Sequence, residues 1–265
     1  MRYFRILLLH FQRVFEHRMR SFVWFLVSLY NPLIYILFWK GAFLVNKGVI
    51  NNWTMSSMTS YFFILTIIAS TLMAHIEEDV SLYDIQEGQL TQYLLKPFSY
   101  FLLKFFEELH YRLLQGGYGL VLLLVLTLIF GPFITITHDL TTLLFAVLIA
   151  VCAYILSFIF KMIVGFIAFW TVDIMGVFLF LDIIMLIFAG FVVPIEFLLH
   201  PLNIIAKFLP FSYIIYYPVI AFQGKLSIIQ SINIIIIQLI WIMFFTIIYQ
   251  IMWKKGMRKF SGVSQ

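Results

Sequence analysis

Charge is scarce in this chain. Asp, Glu, Lys and Arg make up 11% of its 265 residues, where a soluble domain carries roughly 25%. Hydrophobic residues reach 63%, and mean hydropathy is +1.04. This composition excludes an ordinary water-soluble domain, and no long polar stretch remains to form a separate catalytic unit. Cysteine is nearly absent. Cys152 stands alone inside an apolar run, which rules out a disulfide framework and a thiolate metal site. A phosphate-binding Gly-x-x-x-x-Gly-Lys-[Ser/Thr] loop is missing, because Gly224-Lys225 is followed by Leu226 and lacks the upstream glycine. No Gly-x-Ser-x-Gly nucleophile motif occurs. His75, His110, His138 and His200 are scattered over different sides of the chain, and His10 and His17 lie seven positions apart, so no metal-ligand set is expected. The net charge of +5 is not a nucleic-acid signature here, since basic loops at a membrane account for it.

What is present is a series of apolar runs, each near the ~20 residues that one bilayer crossing needs. Six spans are expected, at Phe22–Val45, Met55–His75, Gly116–Phe133, Leu140–Phe160, Gly176–Val193 and Ser227–Trp253. The fold class is therefore an all-α polytopic membrane protein, one domain over residues 1–265. At helical spacing, Arg2, Arg5, Gln12, Arg13, Glu16 and Arg20 fall within an arc of about 100°. Met1–Ser21 thus predicts an amphipathic interfacial helix on the inner leaflet. The basic region runs past a signal peptide's usual limits and no small-residue cleavage site follows Phe22–Trp39, so an uncleaved first helix is expected.

Charge sets the orientation. With the N-terminus inside, Arg2, Arg5, Arg13, Arg18, Arg20, Lys96, Lys104, Arg112, Lys161, Lys254, Lys255, Arg258 and Lys259 are cytoplasmic, and only Lys40, Lys47, Lys207 and Lys225 are outside. This positive-inside bias places both termini in the cytoplasm and agrees with an even number of spans.

Four of the seven prolines, Pro194, Pro201, Pro210 and Pro218, interrupt the apolar character between the last two spans. The segment 193–224 stays greasy and aromatic, too broken for one span and too apolar for a solvated loop. Broken backbone at membrane depth needs cover from protein or a wet cavity, so this segment predicts short re-entrant external helices. Pro201 and Pro210 are each expected to end a helix. The longest cytoplasmic connection is 76–115. It opens with Glu77, Glu78, Asp79, Asp84 and Glu87, read either as a partner contact or as a solvated acidic loop. Lys104, Glu108 and Arg112 form a charged stripe at i, i+4 spacing, which favours the wet face of a helix. Asp182 is the deeper intramembrane acid and the candidate for a pathway residue, whereas Asp173 fits a hydrated interface.

The run Ile85-Gln86-Glu87-Gly88-Gln89-Leu90-Thr91-Gln92-Tyr93-Leu94-Leu95-Lys96-Pro97-Phe98 resembles the first cytoplasmic loop of ABC-2 type permeases, in the bacterial subgroup of about this length. Ala168-Phe169-Trp170 is a second match, and Pro194 through Pro218, with Leu209-Pro210-Phe211 and Tyr217-Pro218, is a third. The three occur in register along nearly the whole chain. Thr91 departs from the pattern, because the family often has Asp there.

The resemblance implies the membrane subunit of an ABC exporter in a bacterial plasma membrane. It implies a second copy or a related permease beside this chain, ABC ATPase subunits below it and lipids around it. ATP and Mg would be bound by the ATPase partner, and no cofactor by this chain. Partner contact is expected at Glu87, Gly88, Leu90, Tyr93, Leu94, Lys96 and Pro97, and an external gate at Pro194, Pro201, Pro210 and Phe211. An amphiphilic or hydrophobic substrate suits spans with few ionisable groups. The alternatives are a polytopic enzyme acting on lipids and a non-transporting assembly or immunity subunit.

Overall fold

The structure, a computed structural model, describes residues 19, 22–23, 26–27, 30–45, 49–130, 136–137 and 139–260. The expected interfacial helix 1–21 lies essentially outside these residues. The described residues are mainly helical, with one small hairpin among them. Helix α1 (Tyr30–Val45) leads into strands β1 (Val49–Ile50) and β2 (Trp53–Thr54). Asn51 and Asn52 sit at φ 49° and 64°, the left-handed pair that a tight two-residue hairpin requires and that asparagine tolerates. Thr54 then caps helix α2 (Met55–Leu72) reciprocally with Ser57, which fixes where the helix starts.

After a break at residues 73–75 the chain restarts as α3 (Ile76–Glu78) and widens into π-helical turns over Asp79–Gln86. Short helix α4 (Leu90–Leu94) follows, then α5 (Tyr100–Phe130) and α6 (Leu140–Phe166), whose N-cap Asp139 accepts from the Thr142 N–H at 2.8 Å. A 3₁₀ turn, Ile167–Phe169, links α6 to α7 (Met175–Phe188). The proline-rich segment forms a 3₁₀ turn, Ile195–Phe197, and three short helices, α8 (Leu202–Phe208), α9 (Pro210–Ile214) and α10 (Tyr216–Phe222). Helix α11 (Ile228–Lys259) closes the fold behind a Ser227–Gln230 capping box.

Among the described residues, three helical runs are long and apolar enough to cross a bilayer: Met55–Gln86, Leu140–Phe169 and Ile228–Lys259. The pair Leu202–Phe208 and Pro210–Phe222, bent by 61°, makes up to a fourth. Several expected boundaries move. The charged stripe and the third apolar run belong to one continuous helix, α5, rather than to two elements. Helix α6 continues beyond Phe160, and α7 stops at Phe188 with 14 residues, short of Val193.

Packing is aromatic and tight. Tyr61, Phe62, Phe158 and Phe166 are fully buried, and α6 runs through the centre against α11, α10 and α3. Lipid offers little hydrophobic drive between helices, so close packing and interhelical hydrogen bonds carry the weight. Gln238 on α11 illustrates this. Its buried Nε2 donates to the carbonyls of Ile149 at 3.1 Å and Tyr213 at 2.9 Å, tying α11 to α6 and to the proline-rich segment.

Candidate partner-docking site

Residues 73–112 and 157–182 meet at one end of the bundle, and the α2 break lies at the centre of that meeting. Breaking a helix frees backbone groups that must find partners. Here side chains from other helices supply them. The Ala74 N–H donates to Ser157 Oγ at 3.0 Å, the His75 N–H to Glu108 Oε1 at 3.0 Å, and Arg112 Nη1 donates to the Ser70 carbonyl at 3.0 Å. Arg112 also pairs with Glu108 at 2.6 Å. Its Nη2 lies 2.7 Å from His75 Nδ1. A guanidinium has no acceptor, so Nδ1 accepts and the ring proton sits on Nε2.

Two more buried ion pairs flank this centre. Lys161 on α6 meets Glu77 on α3 at 2.5 Å, and Asp182 on α7 approaches the same ammonium at 3.9 Å. Lys104 on α5 meets Asp84 at 2.8 Å and Glu107 at 3.4 Å, and it lies 4.5 Å from the centre of the Tyr93 ring. Tyr100 donates to Asp84 at 2.6 Å. Burial works against the Lys104 charge, but Glu107 and Asp84 outweigh it and hold its pKa above the ordinary lysine value. Burial pushes the Tyr93 phenol up, despite the opposing pull of Lys104. A cleft of about 340 Å³ opens here, lined by Asp79, Asp84, Lys104, Glu107 and Glu108 among others.

These contacts correct two expectations. Lys104, Glu108 and Arg112 are buried and paired, so the stripe does not face water. Glu77 and Asp84 are buried too, so the acidic cluster is not uniformly solvated, although Glu78, Asp79 and Glu87 are exposed. Asp182, the pathway candidate, lies 3.9 Å from Lys161 Nζ, and its side chain stays largely exposed.

The loop residues expected to contact a partner divide into mount and tip. Gly88, at φ 78°, makes the left-handed turn between the π-helical run and α4. Leu90 is fully buried, which removes its side chain from the exposed surface. Tyr93 is half-buried between Lys104 and Lys96, whose Nζ lies 4.6 Å from the ring centre. Glu87 is exposed and accepts from Gln89 Nε2 at 3.0 Å. Leu94, Lys96 and Pro97 are exposed, and Leu95, which sequence reasoning passed over, is 88% exposed. The tip is thus a small apolar and basic knob on a rigid mount.

At the opposite end the gate candidates are spread through the proline-rich segment. Pro194 is buried ahead of the 3₁₀ turn, Pro201 is exposed at the N-cap of α8, and Pro210 is buried as the first residue of α9. Pro201 therefore precedes a helix instead of ending one. Pro210 both ends α8, by holding Leu209 extended, and starts α9. Phe211 packs edge-on against Phe160 at 5.5 Å. Glu196 accepts from Tyr216, and Lys225 Nζ lies 2.8 Å from the centre of the Trp53 ring. Among the described residues, no three His, Cys, Asp or Glu side chains converge to hold a metal ion.

The family model for ABC-2 family transporter proteins matches residues 29–264. The chain belongs to the ABC-2 transporter family. No curated protein and no solved structure matches it. In this ABC-2 protein the matched region includes every element described above, the knob, its mount and the proline-rich segment among them.

Proposed function

We propose that this chain is the permease subunit of an ATP-driven exporter, crossing the membrane six times with both termini and residues 76–97 in the cytoplasm. A second copy or a related permease stands beside it, in a bacterial plasma membrane. ATPase subunits grip the Leu94–Pro97 knob, and their closure drives alternating access for an amphiphilic or hydrophobic substrate. The observation that carries this reading is the knob's mounting: an exposed tip whose base is locked into α5 and α6 by buried ion pairs. A push on such a tip moves helices, whereas a push on a slack loop moves only the loop. Export direction and substrate class rest on the family resemblance and on the apolar character of the spans.

The test is purification of the tagged full-length chain from its native membrane in mild detergent. A co-purifying chain with a phosphate-binding loop and ATP hydrolysis in the complex is the expected result. Hydrolysis by the purified single chain would contradict the reading.

A further inference from the structure

Helix α11 ends in a basic cluster. Lys254, Lys255, Arg258 and Lys259 all lie exposed in its final turns. Among the described residues, none of the four makes an ion pair, a hydrogen bond or a ring contact. Lys254 and Arg258 stand at i, i+4 spacing, as do Lys255 and Lys259, and like charges at that spacing repel. The partial negative charge of a helix C-terminus favours cations in the last turn, which covers Arg258 and Lys259. Lys254 and Lys255 lie one turn earlier, so an anion from outside the chain is needed to offset their repulsion.

The two sides of this helix end differ. At ~100° per residue the four cations span an arc of about 140°. The exposed apolar side chains Ile240, Phe244, Ile247 and Ile251 fall inside that same arc. On the opposite side, Trp253 stacks on Tyr100 of α5 with ring centres 5.0 Å apart. Gly256 packs so close to Phe169 that a Cβ would lie 2.2 Å from its ring. The helix end is thereby fixed, with its cations facing away from the protein. Depth agrees with this. From Ile228 to Ile251 the helix rises roughly 35 Å at ~1.5 Å per residue, slightly more than the ~30 Å hydrocarbon core. Lys254 starts about 4.5 Å further on, at headgroup level. Trp170, which meets Phe169 edge-on at 5.8 Å, is half-exposed at the same end, as interfacial tryptophans are.

We infer that the end of α11 binds an anionic phospholipid, its headgroup phosphate on Lys254, Lys255, Arg258 and Lys259 and an acyl chain along Ile240, Phe244, Ile247 and Ile251. Charge selects the headgroup, because a zwitterionic lipid brings a cation that the cluster repels. The apolar stripe running into the cluster selects a lipid over a soluble phosphate or an acidic protein segment, neither of which uses it. Placing this site in the inner leaflet rests on the permease reading, whereas the binding does not.

The experiment uses the full-length chain in phosphatidylcholine nanodiscs doped with diazirine-tailed phosphatidylglycerol or diazirine-tailed phosphatidylcholine. Cross-linked residues are mapped by mass spectrometry. The phosphatidylglycerol probe is expected to label α11 around Ile247 and Ile251 in preference to the other, and added salt should weaken that preference. Unlabelled phosphatidylglycerol should displace it, and soluble glycerol phosphate should not. The exposed Leu144 and Leu148 of α6 should label equally with both probes. Lys254→Gln with Lys255→Gln should lower the preference at roughly five-fold per cation, and Lys254→Arg with Lys255→Arg should retain it. Equal labelling of α11 by the two probes, displacement by glycerol phosphate, or a preference that survives replacement of all four cations by Gln would overturn the inference. So would a four-Gln variant that loses a co-purifying ATPase while its lipid preference is unchanged, which would assign the cluster to a protein partner. Co-purification of an ATPase with the wild-type chain reports separately on the permease reading.

Discussion

Lys161 and Glu77 show what a single buried pair does in this chain. Each is almost wholly buried, and the remaining Glu77 oxygen has no hydrogen-bond partner. Removing one member leaves an uncompensated charge, at a cost of about 3–5 kcal/mol, whereas removing both is often close to neutral. Lys161→Met should therefore destabilise the chain strongly in reversible denaturant unfolding in micelles. Glu77→Gln combined with Lys161→Met should recover most of the loss. Additive losses would show that the two side chains do not act as a pair. Lys225 offers a pH test at the other end. Burial lowers its pKa to about 8, with Glu196 pulling the other way. A base whose folded pKa is depressed penalises the folded state while protonated, so its contribution improves as pH rises from about 8 towards the ordinary lysine value. Deprotonation also ends the cationic contact with Trp53. The fluorescence difference between wild type and Trp53→Phe should titrate near pH 8 and lose that step in Lys225→Met.

Helix α3 and the proline-rich segment rest on local devices. Gly165 lets α3 approach α6 closely, since a Cβ there would lie 2.8 Å from the Val80 side chain and 3.1 Å from the Glu77 carbonyl. Gly165→Val should cost about 1–3 kcal/mol through this overpacking, and it should loosen the Glu77–Lys161 pair with it. Two supports of the corner between α8 and α9 lie at its turn, beside the Tyr213 hydroxyl that donates to the Lys207 carbonyl at 2.9 Å. Pro210 keeps Leu209 extended, and Ser212 Oγ donates to the Ala206 carbonyl at 2.7 Å. Pro210→Ala alone should keep the 61° bend, and Pro210→Ala with Ser212→Ala should straighten it. Spin-label distances between positions 203 and 219 would lengthen only in the double variant. The proline cluster made this broken segment legible in the sequence, because proline acts on its own backbone and the residue before it. The Lys104–Glu108–Arg112 stripe was legible as a single face, but periodicity says which residues share a face and not what that face meets. Its burial depends on Asp84, His75 and Ser70, which belong to other elements. The Lys161–Glu77 pair, 84 positions apart, left only one local trace, a lone lysine inside an apolar run.

For the chain as a unit, the exposed knob and the α2 break share a support. Arg112 bonds the α2 break, fixes the His75 tautomer and belongs to α5, which also carries Lys104 beneath the knob. A partner that moves the knob therefore acts on a structure continuous with α2. The family was legible because its motifs are local and in register. The division of the loop into buried Leu90 and exposed Leu95 was not, since both are leucines in the same apolar-polar stretch and only the fold distinguishes them. The central claim is that the exposed tip, and not the whole loop, contacts an ATPase. Single cysteines at positions 95 and 90 in a Cys152→Ala background, followed by thiol cross-linking in native membranes, test it most directly. Position 95 should cross-link to a chain carrying a phosphate-binding loop, and position 90 should not. Cross-linking at 90 with none at 95, or none to any ATPase at either position, would contradict the account.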